Sequence, residues 1–143
     1  FKGMRSEGNN ELHVTSTHYD DQIALDLVRG SQRTVAIHGC EGNESVAYIG
    51  GSDDRLIELI TESLEDIGIS VREAPHHISG TQENNIVNMT QTQGGVQLEL
   101  TAQLRKELFK NRKSSRKNRE NKDNWDDLMY DFADAMKKAI ERA

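Results

Sequence analysis

The side chains best suited to chemistry stand at the ends of apolar runs. His38 closes Val35-Ala36-Ile37 just before Gly39, in the stretch RTVAIHGCE. An imidazole there can ligate a metal, act as a base, or only hydrogen-bond a neighbouring loop. Alone it cannot hold a catalytic zinc, which takes three protein ligands and an open position. Glu99, in GGVQLEL, shares one side of a strand with Gln97, while Val96, Leu98 and Leu100 take the other. Opening onto a cleft, that side makes Glu99 a general base; facing water, it makes an ordinary carboxylate. Cys40 falls on the face of His38 if the strand runs that far, which allows a Cys–His nucleophile or simple packing. His13, His18, His76 and His77 are scattered; of the adjacent pair after Pro75, at most one faces a given site.

The elements that position these residues follow from pattern. Leu12–Ser16 alternates as a strand does. Asp20 and Asp21 precede a helical face of Ile23, Ala24, Leu27 and Val28 that ends at Gly30. Thr34–His38 and Ser45–Ile49 read as strands. A helix then runs from Ser52 as N-cap through Leu56, Leu59, Ile60, Leu64 and Ile67 to a stop at Gly68. Ile69–Glu73 is strand-like, and His76–Gly95 is a long polar loop, a length that marks function or disorder. Val96–Leu100 is a strand, Ala102–Phe109 a helix, and Trp125–Arg142 an amphipathic helix through Leu128, Met129, Phe132, Met136 and Ile140. Strands alternating with helices predict an α/β fold: an open mixed sheet with helices on both faces. Ligands of such sheets sit outside the carboxyl ends of the strands, where His38 stands and Glu99 is near.

At 143 residues the chain suits a single α/β domain over 1–143, ending in a basic segment, 110–122, and a helix, 125–142. No apolar run approaches the roughly 20 residues of a membrane helix. The single cysteine excludes an intrachain disulfide and predicts a reducing, cytoplasmic compartment. A start at Phe1, with a strand almost at once, predicts the C-terminal part of a longer domain. Charge is uneven: Lys110–Lys122 holds seven basic residues and one acidic, +6, so the remainder carries −12 in a chain of −6. That asymmetry opens a reading as a nucleic-acid-binding accessory protein, against which the overall charge counts.

Taken together, ELHVTSTHYDD, VAIHGCEG, YIGG, ISGTQENNIVN and GGVQLEL, followed by LRKELF, resemble the phage-type poly-γ-glutamate hydrolases over Phe1–Phe109. Bacterial members are often labelled phage-related replication proteins, and RKNRENKDNW resembles those of bacilli. The resemblance implies a zinc carboxypeptidase-like fold and a zinc-dependent hydrolase of γ-glutamyl amide bonds. It further implies that His38 is a zinc ligand and Glu99 the catalytic glutamate. The family's His-Gly-Gly-Gly-x-Glu motif, source of two zinc ligands, is absent from this sequence, which implies those ligands upstream of Phe1 and an incomplete, inactive site without them. The Phe-Asp-Glu-Pro stretch has only His18-Tyr19-Asp20-Asp21 in its place. A polymer with one free α-carboxylate per residue implies cations and hydrogen-bond donors in the groove, for which Arg105, Lys106, His77, Asn84, Asn85 and Asn88 are candidates.

Overall fold

The computed structural model describes residues 8, 11 and 13–143. Four strands, β1 (Val35–Cys40), β2 (Val46–Gly51), β3 (Ser70–Glu73) and β4 (Val96–Thr101), form one mixed sheet in the order β1-β4-β2-β3. β4 runs parallel to β1 and antiparallel to β2, and β2 runs parallel to β3. Four helices accompany it: α1 (Gln22–Gly30), α2 (Asp54–Asp66), α3 (Ala102–Glu107) and α4 (Asp127–Arg142). This is the mixed α/β architecture that the alternation of patterns predicts. Among the described residues no helix is long and apolar enough to cross a membrane.

The core lies between one sheet face and α2 with α4. Ala47, Ile49, Leu98 and Leu100 meet Leu56, Leu59, Ile60 and Leu64 of α2 and Phe132, Ala135, Met136 and Ala139 of α4. Both helices are short amphipathic segments, so burial of these stripes stabilises them far more than helix propensity does. The opposite sheet face takes the 76–95 segment, which carries single 3-10 turns at His76–Ile78 and Ile86–Asn88. That segment is ordered rather than loose, with Val87 fully buried.

Some expectations need correcting. Of the strand expected over Leu12–Ser16, Leu12 lies outside the described residues and the rest is no strand: 13–15 carry no regular structure and Ser16–His18 is a 3-10 turn. Thr15 has extended dihedrals, but a strand also needs a ladder, and alternation alone cannot supply one. α1 forms as expected, yet Ile23 and Leu27 of its apolar face are exposed, and so is Ile140 on α4. Helix α3 ends at Glu107 rather than Phe109, and α4 begins at Asp127 rather than Trp125, because Phe109 and Trp125 pair across an isolated antiparallel bridge.

The cap of α2 also moves by one residue. The backbone N–H groups of Ser52 and Asp53 both donate to the Gly95 carbonyl, at 2.9 and 3.2 Å, which ties Ser52 to the end of the sheet. Asp53 therefore caps the helix, its carboxylate accepting from the Leu56 N–H at 3.0 Å. The helix stops at Gly68 (φ +82°) in a Schellman pattern, Ile69 N–H to Leu64 carbonyl and Gly68 N–H to Glu65 carbonyl. Asp53 also stands 3.3 Å from Arg33 Nε, an ion contact whose angle does not make a hydrogen bond. Asp53→Ala should therefore cost somewhat more than the ~1 kcal/mol of a lost cap. Urea titration would measure it, and an unchanged midpoint would refute the assignment.

Candidate functional site

Pairing of β1 with β4 sets His38 directly opposite Glu99. Register partners on adjacent strands project to the same face, so residues far apart in the chain share one wall of a cleft. The cleft, of about 300 Å³, is lined by His13, Thr15–Thr17, His38, His77, Asn85, Gln97 and Glu99 among others. His38 Nδ1 lies 3.9 Å from Glu99 Oε1, too far for a direct hydrogen bond, which leaves both groups able to engage a third. The His38 side chain is 34% exposed and Glu99 is only 7% exposed as a residue.

Glu99 is held by a relay that can be assigned from its ends. The Val87 backbone N–H can only donate, so Asn85 presents Oδ1 to it at 3.1 Å. The Asn85 amide nitrogen then donates to Gln97 Oε1 at 3.1 Å. Gln97 Nε2 is left to donate to the Ile78 carbonyl at 3.1 Å and to Glu99 Oε1 at 3.4 Å. Burial pushes the Glu99 carboxyl above the usual range, opposed by His38, the Gln97 hydrogen bond and Arg105. Gln97→Met keeps the volume but removes the amide. It should lower the turnover of any reaction that uses Glu99 by about 10- to 100-fold with KM unchanged. Equal losses in binding and turnover would reassign Gln97 to substrate contact.

The remaining candidates divide. His77 lies on the exposed 3-10 turn at the cleft. Asn85 lines the cleft, but its amide is spent in the relay. Asn88 is outside the lining and clamps the loop: its amide nitrogen donates to the carbonyls of Gly80 and Gln82, at 2.7 and 3.0 Å, and its oxygen accepts from the Gly95 N–H. Arg105 is also outside the lining. It lies over Gly39, donating to the Leu100 and Cys40 carbonyls at 3.2 and 3.0 Å. Lys106 is exposed and does not line the cleft. The Cys40 thiol points at the Glu99 carbonyl, 3.8 Å away, and burial first, then the Glu99 charge, keep it protonated. That environment does not make a thiolate nucleophile. Gln97 is the cleft residue that residue types alone understate; its signal is the face it shares with Glu99.

Among the described residues no group of three or more His, Cys, Asp or Glu side chains is disposed to hold a metal. His38 offers one imidazole donor at the cleft, which suits zinc in kind. A catalytic zinc centre needs two further protein donors beside it.

Comparison with known proteins places this chain among relatives. The SPbeta prophage-derived UPF0714 protein YoqZ of Bacillus subtilis (strain 168) is 37% identical over 111 residues, covering 76% of this chain and 40% of its own length. The solved bacteriophage poly-gamma-glutamate hydrolase superposes with a TM-score of 0.91 at 32% identity, over 99% of this chain and 67% of that one. The zinc-free apo form of YndL gives 0.88 at 28% identity, over 98% and 68%. The chain thus spans less than half of YoqZ and about two-thirds of each solved relative. A family model described as poly-gamma-glutamate hydrolase matches residues 1–135, and the chain belongs to that family.

Proposed function

We propose that the protein hydrolyses γ-glutamyl amide bonds, with Glu99 as general base and His38 as one ligand of a zinc ion. The observation that carries this reading is the register of His38 opposite Glu99 on the cleft face, in a chain of the poly-gamma-glutamate hydrolase family. Zinc, when bound, supplies Lewis acidity at the scissile carbonyl. Glu99 takes a proton from the attacking water and delivers it to the leaving amine, a task that suits a carboxyl whose proton affinity is raised by burial. Gln97 tethers the carboxylate oxygen that faces His38. His77 meets substrate carboxylates from the exposed turn. Asn85 and Asn88 act indirectly, by holding the cleft wall in place. Arg105 and Lys106 add positive potential at the strand ends.

The test is chromatographic sizing of poly-γ-glutamate incubated with the zinc-supplied full-length protein, beside α-linked polyglutamate. Shortening of the γ-linked polymer alone is the expected result. If the γ-linked polymer keeps its length, or zinc removal changes nothing, the reading fails.

A further inference from the structure

The basic segment has no part in the cleft, yet it is built. Phe109 and Trp125 bridge its two ends, and the Asp126 N–H donates to the Leu108 carbonyl at 3.0 Å. Between them the chain folds back onto Trp125, whose indole N–H donates to the Arg119 carbonyl at 2.8 Å. The Asn124 amide reaches the Asn118 carbonyl at 3.0 Å, and the Lys122 ammonium stands 5.5 Å from the Trp125 ring centre. This is a closed loop with its own small frame, not a loose tail.

All seven basic residues of this loop are exposed. Arg112, Lys113, Lys117 and Arg119 pair with no carboxylate among the described residues. Ordering so many like charges in one loop costs self-repulsion, although the chain has acidic residues to spare. Elsewhere it carries −12, so a polyanion is repelled by most of the surface and attracted here.

We propose that the 110–122 loop is an exosite for the polyanionic substrate, binding stretches of poly-γ-glutamate outside the cleft. The identity of the occupant rests on the hydrolase reading above; the polyanion site rests on the loop alone. Recognition is by charge density, so the loop does not distinguish γ-linked from α-linked glutamate, whereas the cleft does. Binding of this kind raises local polymer concentration and weakens steeply with salt.

The experiment is fluorescence anisotropy of end-labelled polymer of each linkage, titrated with the Glu99→Gln protein so that nothing is cut. Affinity for both polymers should fall at least about tenfold between about 50 and about 200 mM salt. Lys113→Gln, Lys117→Gln and Arg119→Gln together should lower it at least about tenfold at low salt, with an unchanged melting curve. In the otherwise wild-type protein the same three changes should leave hydrolysis of a short γ-glutamyl oligomer untouched. Undiminished polymer affinity in the triple variant overturns the proposal. So does tighter, loop-dependent binding of duplex DNA, which would give the loop to nucleic acid. Loop-dependent polymer binding in a protein that cuts nothing upholds the exosite and counts against the hydrolase reading alone.

Discussion

Glu99→Gln is expected to yield a protein that folds, melts higher than the wild type at about pH 8, and loses about 10³-fold in kcat/KM on γ-glutamyl polymer. Glutamine keeps the shape and can still accept the Gln97 hydrogen bond, but it cannot take a proton from water. The stability half follows from the sign of the shift. Burial raises the Glu99 carboxyl in the folded protein, so folding disfavours its charged form. The wild type bears that penalty above the folded pKa and sheds it as pH falls below the unfolded one. The amide is neutral throughout, so the Tm advantage of the variant should shrink toward zero near about pH 4. Equal melting temperatures across this range would remove the buried-charge argument. Undiminished hydrolysis would remove the base.

Gly95→Ala is expected to be severely damaging, one of three sites at the sheet end, with Gly50 and Gly51, where a Cβ would lie 2.1 Å from a backbone carbonyl oxygen. At Gly95 it would lie 2.1 Å from the Val87 carbonyl oxygen and 2.9 Å from that of Thr34. Neither obstacle is a side chain that can swing away. Relief requires the 76–95 segment to lift from β4, which would break the Asn88 contact to the Gly95 N–H and disturb the relay to Glu99. The expected loss is at least about 3 kcal/mol, a fall in Tm of roughly 10 °C, with hydrolysis falling in parallel. Gly30→Ala is the control, since a Cβ there meets nothing within 4 Å at the end of α1. A tolerated Gly95→Ala would mean that the loop does not seat on the sheet as described.

Much of this fold is legible in the sequence because local physics decides it. The period of Leu56, Leu59, Ile60 and Leu64, closed by Gly68, can only be an amphipathic helix, and Val96–Leu100 alternates as a strand does, although the 76–95 segment buries its polar face as well. The cap of α2 is read one residue early because Ser52 is claimed by Gly95, a contact 43 positions away that no local pattern carries. The strand expected over Leu12–Ser16 fails for the same reason: a strand is a pairing, and a pairing is not a local property. The site follows suit. His38 and Glu99 are individually visible as strand-end candidates, but their meeting depends on β4 entering between β1 and β2. Asn85 and Asn88 look like substrate donors in a polar loop; only the backbone groups facing them show that their amides are already engaged.

The sheet order also sets a timetable for the nascent chain. β2, α2 and β3 are contiguous and can pair as soon as they leave the ribosome. β1 emerges before them but pairs, within the described sheet, only with β4, so Val35 waits for Val96. Contacts of such sequence separation form late and slow folding, and an unpaired edge left waiting invites other chains. The event that ends this wait also brings His38 to Glu99. Sheet completion and site assembly are therefore one step, and a chain interrupted before β4 is without a sheet centre and without Glu99.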